Sequence, residues 1–413
     1  MNDIYVVGVG MTPFGRMLDT SVYDLADAAV SLALKDAGCD KADIGAVFYA
    51  SATTGQLQGQ FSIPGPIAMR RCGLSGIPVY SVENACASGS SAFNLAVQAV
   101  KAGSTDVALA VGAEKMHVAD KARMFSVFDA GWDVSSAEQN RATLVALGAG
   151  VAAPPGSTSE RPYSVFMDVY AAICRNHMHR YGTTQHQIAA VAAKNHGHSV
   201  HNPLAQYREA CSIEQVLASP PITYPLTMKM CSPISDGAAA VVVCNATGLQ
   251  RLKDGGRRAV KVLASVVRVG VERTADQPEL TISHLAAKQA YELAGIAPSD
   301  VDVAEVHDAS AMGEILNAES LMLVPFGEGG PAAERGDFSV GGRIPVNPSG
   351  GLESKGHPIG ATGLGQIHEL VTQLRGEAGQ RQVVGARIAA HENGGGLYGI
   401  EEAVVAVNLF AKS

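Results

Sequence analysis

Lys35-Asp36-Ala37-Gly38, followed five residues later by Asp43-Ile44, ends a stretch of sequence that the chain repeats. The second copy is Glu292-Leu293-Ala294-Gly295, followed five residues later by Asp300-Val301. In each copy the pattern predicts a helix before the glycine and an apolar strand after the aspartate. The repeat indicates a chain built from two related halves.

A second repeat follows in the same order. The loop around Cys86 precedes a predicted helix and strand, and so does the loop around His357. Alternating strands and amphipathic helices are typical of α/β layers, so we predict an α/β fold. The predicted strands are Ile4–Val9, Val47–Ala50, Val107–Val111, Ala238–Cys244, Val260–Val269, Val301–Val306, Val383–Ala390 and Glu402–Leu409, and the predicted helices are Tyr23–Ala37, Ser90–Ala102, Ser164–Tyr181, Gln185–His198, Ser283–Ala294 and Gly363–Arg375.

The second half lacks a long segment that the first half contains. We predict a first half at 1–118, continued at 219–250, and a second half at 251–413, with 119–218 as an inserted loop domain. A Pro/Gly/Ser-rich stretch and two predicted helices occupy the insertion. Thr184 and Gln187 predict a capping box at the second of these helices.

The composition excludes several classes of protein. The chain has 413 residues, 47% of them hydrophobic, and a net charge of −8 with scattered basic residues, which disfavours nucleic-acid binding. No signal peptide or apolar run of the roughly 18 residues needed to cross a bilayer is recognisable. Seven cysteines without framework spacing indicate reduced thiols. We therefore expect a cytoplasmic protein that does not associate with membranes.

Cys86 lies in the sequence Asn84-Ala85-Cys86-Ala87-Ser88-Gly89-Ser90-Ser91-Ala92-Phe93, directly before a predicted helix. A helix N-terminus stabilises a thiolate and can bind an oxyanion, so Cys86 is a candidate nucleophile with a lowered pKa. The alternative is a small buried hydrophobic residue in a tight turn.

Three histidines are candidate partners for this thiol. His307 follows a predicted strand, His357 lies in the glycine-rich loop 347–363, and His391 begins His391-Glu392-Asn393-Gly394-Gly395-Gly396 after another predicted strand. The three glycines could direct backbone N–H groups at an oxyanion or form a plain turn. We predict no metal site, because the groups His177/His179 and His196/His198/His201 lack completing ligands.

Together these motifs resemble the thiolase superfamily, in its sterol-carrier-protein-type and acetyl-CoA acetyltransferase branch. Cys86-Ala87-Ser88-Gly89, His307-Asp308-Ala309, Gly356-His357-Pro358 and Ser235-Asp236-Gly237-Ala238 are similar to its motifs in the same order. The resemblance implies a five-layered αβαβα core of two duplicated halves, with the loop domain covering the CoA site. It also implies a homo-oligomer, either a dimer or a tetramer.

The function implied by the resemblance is CoA-dependent acyl transfer in lipid metabolism. Cys86 would attack a thioester carbonyl while His357 takes its proton, and His307 would bind the enolate oxygen of the second substrate. Backbone N–H groups of Cys86 and of Gly394, Gly395 and Gly396 would bind the first oxyanion. Ser232 would contact pantetheine. Acyl-CoA and CoA are the expected substrates, without a further cofactor.

The chain departs from the family at the second cysteine, which exchanges the proton of the α-carbon. His391 (or Glu392) and Ala309 occupy its two usual positions. His391 could replace the thiol, because imidazole exchanges protons near neutral pH. The alternative is that the carbon–carbon step is slow, different or assisted elsewhere. One alternative function is a retro-aldolase or C-acyltransferase that requires a small zinc-ribbon/OB-fold partner, and another is an acyl-CoA or lipid binder without catalysis.

Overall fold

The computed structural model describes residues 3–252 and 256–413, so residues 1, 2 and 253–255 of the predicted halves lie outside the described residues. The strands are β1 (Ile4–Met11), β2 (Ala46–Ala50), β3 (Val79–Val82), β4 (Val107–Glu114), β5 (Pro221–Thr223), β6 (Leu226–Thr227), β7 (Gly237–Cys244), β8 (Val260–Val269), β9 (Val303–Glu305), β10 (Ile388–Gly395) and β11 (Val404–Lys412).

The helices surround and separate these strands. They are α1 (Val22–Ala37), α2 (Thr54–Gln58), α3 (Pro64–Arg71), α4 (Ser88–Lys101), α5 (Lys121–Ser126), α6 (Ala137–Leu147), α7 (Val165–Tyr181), α8 (Gln185–Ser199), α9 (Ile213–Leu217), α10 (Ala246–Arg251), α11 (Ile282–Ala294), α12 (Ala311–Ser320), α13 (Gly329–Glu334) and α14 (Thr362–Arg375). In the part of the chain that is described, no helix has both the length and the apolar character needed to cross a bilayer.

Strand pairing shows the duplication directly. The large sheet has the order β3-β2-β4-β7-β1-β8-β11-β10-β9. In the first half β2 and β4 are parallel, and β4–β7 and β7–β1 are antiparallel. In the second half β9 and β10 are parallel, and β10–β11 and β11–β8 are antiparallel. The two halves therefore share one topology, and antiparallel pairing of β1 with β8 joins their sheets.

Three clusters of buried apolar side chains pack the helices against the two halves of the sheet and so form five layers. The central cluster joins α4 and α14 to residues from both halves of the sheet, including Phe48 and Phe410. A second cluster packs α1 on the other face of the first half, and a third packs α11 and α12 on the other face of the second half. Alternation within β2 illustrates the cause, since Phe48 faces the central helices while Val47 and Tyr49 face α1. The predicted αβαβα fold is confirmed.

The repeated glycines end equivalent helices. Ser21 begins α1 with a capping box to Asp24, and Gly38 ends it at a φ of 65°. Gly295 ends α11 in the same left-handed conformation, at a φ of 68°. A side chain is disfavoured in this conformation, which explains glycine at both positions.

The inserted segment packs mainly on the second half. The Nε2 of His177 on α7 lies 3.1 Å from Glu319 on α12, and the Nζ of Lys194 on α8 lies 2.7 Å from Glu314 on the same helix. The capping box of Thr184 and Gln187 is confirmed at the start of α8. The exact domain boundaries stay a prediction.

One predicted strand is displaced along the chain. Strand β10 begins at Ile388 rather than Val383 and continues to Gly395, pairing His391 with Asn408 of β11. The prediction of a loop or turn directly after Ala390 is therefore wrong. Short elements such as β3, α3 and α12 were not predicted, because their few residues lack a distinct periodic pattern.

Candidate active site

Cys86 lies in a short turn, Ala85–Ala87, directly before α4. Ala85 has a φ of 47°, a conformation that costs free energy for a residue with a side chain. Its N–H donates to Glu83 at 2.7 Å, and the Ser88 hydroxyl donates to the Ala85 carbonyl at 2.6 Å. These bonds hold the half-buried thiol at a fixed point between β3 and α4.

The second half supports this turn from behind. A Cβ atom added to Gly395 of β10 would lie 2.3 Å from the carbonyl oxygen of Asn84 and 2.7 Å from the backbone nitrogen of Ala87. Only glycine allows the two backbones to approach so closely. The position of Cys86 thus depends on packing between the halves.

His357 is held by bonds to its backbone and its ring. Its N–H donates to the Ser235 hydroxyl at 2.9 Å, and its Nδ1 lies 2.6 Å from Thr362 Oγ1. The Thr362 hydroxyl donates to the Pro358 carbonyl at 3.0 Å, so it accepts a bond from Nδ1–H. The Nε2 atom of His357 therefore carries the lone pair that can accept a proton.

His307 follows β9 and completes the cluster. Its backbone N–H donates to Glu392 at 3.1 Å, and its carbonyl accepts from Asn317 at 3.0 Å. Both ring nitrogens are without a hydrogen-bond partner among the described residues. Ligating atoms of Cys86, His307 and His357 all lie within 4.8 Å of one another. The structure therefore brings these three predicted residues together.

Burial keeps all three groups uncharged at rest. It lowers the pKa of His307 to about 4 and the pKa of His357 well below its usual value. Burial, with nearby Glu114 and Glu402, raises the pKa of the Cys86 thiol to about 12. The predicted lowering of this pKa by the helix N-terminus is therefore wrong, because desolvation outweighs the helix dipole. Attack by Cys86 requires transfer of its proton to a neighbouring base.

A cavity of about 1170 Å³ opens at this cluster. Cys86, Ser232 and His357 line it, while Phe128, Tyr163 and other residues of the inserted segment form the opposite wall. His307 is not among the described lining residues, although its ring contacts His357 with a centroid separation of 5.4 Å. The backbone N–H of Ser232 donates to the Ala309 carbonyl at 3.0 Å, which fixes this side of the cavity.

The predicted oxyanion glycines occupy different positions. Gly394 and Gly395 lie inside β10, opposite Val405 and Val404, whereas Gly396 lines the cavity beside Cys86. Gly396 has a φ of 67°. Of the three glycines, Gly396 therefore has the position best suited to bind an oxyanion in the cavity.

His391 is held inside strand β10 of the second half. It is buried in β10, with Nδ1 2.9 Å from Asn408 Nδ2 and Nε2 3.2 Å from Gln366 Oε1. It is not among the described residues that line the cavity, and burial lowers its pKa to about 3. These bonds occupy both ring nitrogens, so the geometry does not favour the predicted role of His391 in proton exchange.

The other histidines have separate partners. His177 contacts Thr183 and Glu319, while His198 contacts the carbonyl of Asn347 and the N–H of Val340. His196 is buried and lies 3.3 Å from the Ser354 hydroxyl. His177 and His196 are therefore interior helix residues rather than surface ones.

Two acidic residues near the site were not predicted. Glu114 ends β4 and accepts bonds from Ser51, Ala52, Thr53 and Gly360, and Glu353 lines the cavity. Glu353 lies four residues before His357 in the glycine-rich loop 347–363, and a carboxyl group at that place was the available signal in the sequence. Glu114 and Glu353 are bound by residues from distant parts of the chain, and local sequence patterns do not predict such contacts.

A duplicated αβαβα fold with a cysteine and two histidines at a deep cavity defines an enzyme of the thiolase class. Residues 4–211 match the family described as "Thiolase, N-terminal domain", and residues 269–407 match "Thiolase C-terminal domain-like". The chain is 39% identical to "Acetyl-CoA acetyltransferase" of Methanothermobacter thermautotrophicus, covering 100% of both sequences. It is 37% identical to "Sterol carrier protein 2" of Rattus norvegicus, covering 94% of this chain and 69% of that protein.

A solved structure, "Ltp2-ChsH2(DUF35) aldolase", has the same fold. Its TM-score is 0.78 at 23% identity, covering 100% of this chain and 98% of that one. Because these sequence matches extend over most of the chain, it belongs to the thiolase family. It is an acyltransferase enzyme.

Proposed function

We propose that the protein forms or cleaves a 3-ketoacyl-CoA through an acyl group carried on Cys86. The observation that carries this proposal is the cluster of Cys86, His307 and His357 within 4.8 Å, of which Cys86 and His357 line a cavity of about 1170 Å³. A thiol with a free imidazole nitrogen beside it is the arrangement that nucleophilic catalysis needs.

Acylation begins with proton transfer from the thiol to a histidine. The Nδ1–H of His357 is bound by Thr362, so its Nε2 accepts the Cys86 proton while sulfur attacks the thioester carbonyl. The N–H groups of Cys86 and Gly396 bind the oxyanion of this step. His307 has free ring nitrogens and binds the enolate oxygen of the second substrate.

The cavity is large enough for an extended thioester, since ligand pockets typically measure roughly 300–1,000 Å³. Ser232 lies on its wall and contacts the pantetheine arm. The reaction uses CoA thioesters and CoA, with no further cofactor. The protein acts in the cytoplasm in lipid metabolism as a homodimer or homotetramer.

Intact-mass measurement after incubation with acetyl-CoA tests the proposed acyl-enzyme. We expect an acetyl adduct on the wild-type protein and none on Cys86→Ala. Cys231→Ala is a matched control, because this second cavity cysteine lies outside the cluster of three. If acetyl-CoA and longer acyl-CoA thioesters all leave the wild-type mass unchanged, the proposal is wrong.

Retro-aldol cleavage with a protein partner is the second candidate function. The aldolase named in the structural comparison favours it. A partner-dependent enzyme would be inactive as the isolated chain and active after co-expression with a small zinc-bearing partner. Thiolysis of a 3-ketoacyl-CoA by the isolated chain would exclude that requirement. Binding of acyl-CoA without an adduct or turnover would instead indicate a non-catalytic binder.

A further inference from the structure

Glu353 is a buried carboxyl group in the wall of the cavity. Its residue is 1% exposed, and it lines the same cavity as Cys86 and His357. Its Oε1 accepts a bond from Asn195 Nδ2 at 3.2 Å. Its Oε2 has no hydrogen-bond partner among the residues that the structure describes. A buried polar atom without a partner is costly, so this oxygen requires an explanation.

Asn195 joins Glu353 to two further acidic groups. Its Nδ2 lies 3.1 Å from Asp308 Oδ2 and 3.0 Å from Glu314 Oε2, as well as 3.2 Å from Glu353. An amide NH₂ group has two hydrogens for these three carboxyl groups. Lys194 lies 2.7 Å from Glu314 and neutralises one charge. Repulsion between the negative charges of Asp308 and Glu353 favours a proton on at least one of these two carboxyl groups.

The bonds of Asp308 leave Glu353 as the available carboxyl. The Leu352 N–H donates to Asp308 Oδ1 at 2.8 Å, and Asn195 donates to Asp308 Oδ2, so both oxygens of Asp308 are bound. Burial, followed by repulsion from Asp308 and Glu314, raises the pKa of Glu353 well above its usual value. A protonated Glu353 can donate from its unpartnered oxygen.

Glu353 shares the cavity with the position of the missing thiol. Ala309 occupies one of the places where related enzymes have a second cysteine, and it lines the same cavity. Asp308 precedes Ala309 and is bound by Leu352, which precedes Glu353. The Asp308 carboxyl group therefore joins the segment that carries Glu353 to the segment that carries Ala309.

We propose that Glu353 is the catalytic acid and base that exchanges the proton of the substrate α-carbon, in place of a second cysteine. This inference rests on the proposed function, because it assigns the carbon–carbon step of the same reaction. It also replaces the predicted role of His391, whose ring nitrogens are bound by Asn408 and Gln366.

In the cleavage direction, Cys86 gives its proton to His357, and its sulfur bonds to C3 of the 3-ketoacyl-CoA. The C2–C3 bond breaks, its electron pair passes to C2, and the Glu353 carboxyl protonates C2 to release the shortened product. The Glu353 carboxylate then takes the thiol proton of incoming CoA. CoA sulfur bonds to the acyl carbon, the bond to Cys86 breaks, and His357 returns its proton to the thiolate.

Two measurements on one sample test this assignment. The protein is incubated with acetyl-CoA in D₂O, and mass spectrometry follows the acetyl adduct on Cys86 and deuterium entering the acetyl methyl group. We expect Glu353→Gln to keep adduct formation within about threefold and to slow deuterium exchange by about 100-fold or more, the usual range for loss of a general acid or base. Glu353→Leu, of similar size, should also lose deuterium exchange while keeping adduct formation, even if the amide variant folds poorly.

Glu209→Gln provides a matched control, since this exposed carboxyl lies at the edge of the same cavity. It should leave both rates within about twofold of the wild type. Unchanged deuterium exchange in both Glu353 variants would overturn the proposal, as would an equal loss of adduct and exchange. A wild-type protein that forms no adduct would instead overturn the proposed function, and this step with it.

Discussion

The Glu114 carboxylate of the first half accepts a hydrogen bond of 2.9 Å from the backbone N–H of Gly360 in the second half. Gly360 lies three residues after His357, and Glu114 also binds the backbone of Ala52 and Thr53 on the cavity wall. One buried side chain thus joins the loop that carries His357 to the half that carries Cys86. Burial raises the pKa of Glu114, and the groups that donate hydrogen bonds to it oppose that effect by stabilising the charged carboxylate.

Glu114→Gln should destabilise the fold. The amide has one acceptor oxygen, and its NH₂ group would face backbone donors that now point at a carboxylate. We expect the free energy of unfolding to fall by about 2–3 kcal/mol, the usual scale for bonds to a charged group. Urea denaturation measures this loss. Glu292→Gln, at an exposed site on α11, should change stability by less than about 0.5 kcal/mol, and equal effects would contradict the assigned role.

Gly395→Ala should displace the nucleophile. The new Cβ would lie 2.3 Å from the Asn84 carbonyl oxygen, so the turn carrying Cys86 must move. We expect the rate of adduct formation with acetyl-CoA to fall about 100-fold, because small displacements of reacting groups are costly.

Gly197→Ala is the matched control for that substitution. An added Cβ at this position in α8 meets no atom of the described residues within 4 Å, and alanine favours a helix by about 0.5–1 kcal/mol. It should keep the wild-type rate and unfold at a slightly higher temperature. Normal acylation by Gly395→Ala would show that the turn tolerates movement.

Thr362→Val should impair acylation by releasing His357. Valine removes the acceptor at 2.6 Å from Nδ1 while keeping the shape of the side chain. We expect adduct formation to slow by about 10–100-fold, as for other bonds that orient a catalytic group. Thr362→Ser should restore most of the rate, because serine keeps the hydroxyl. A wild-type rate in Thr362→Val would contradict this role of the hydroxyl group.

Acylation should have an unusual pH profile. The pKa of His307 is lowered to about 4 and that of His357 lies well below its usual value, so neither ring gains a proton near pH 6.5. The pKa of Cys86 is raised to about 12, so the thiol stays protonated through the same range. We expect a nearly constant rate of adduct formation between pH 6 and 9.

Alkylation by iodoacetamide gives an independent measure of the same thiol. Because the thiolate is the reactive form, modification of Cys86 should be slow at neutral pH and should increase steadily above pH 9. Inflections near pH 6.5 or 8.5 in either experiment would show that the residues titrate as exposed groups.

Local sequence patterns predicted much of the fold. The repeated helix–glycine–strand units predicted two halves, and strand pairing confirms that they share one topology. The predicted strand Val260–Val269 agrees with β8 at both ends. These features depend on side-chain periodicity and glycine conformation, which neighbouring residues largely determine. The end of β9 and the start of β10 were less predictable, since strand limits depend on pairing partners.

The candidate residues Cys86, His307 and His357 could also be selected from the sequence, because each lies in a distinctive motif at the end of an element. The electrostatic state of these residues could not be predicted from the sequence. The helix N-terminus predicted a lowered pKa for Cys86, whereas burial raises it. Desolvation depends on every residue that excludes water from the site, and those residues come from both halves and the insertion.

The sequence by itself determined the duplicated architecture and the selection of Cys86, His307 and His357 as candidate site residues, because these are encoded in short motifs and local periodicity. Only the tertiary structure decided that His391 is bound inside β10, and that Glu353 lines the cavity with one oxygen that has no partner among the described residues. The reason is physical: hydrogen-bond partners and solvent exclusion depend on which elements pack together. Asn408 reaches His391 through strand pairing, and Asn195 of the insertion reaches Glu353 from 158 positions away.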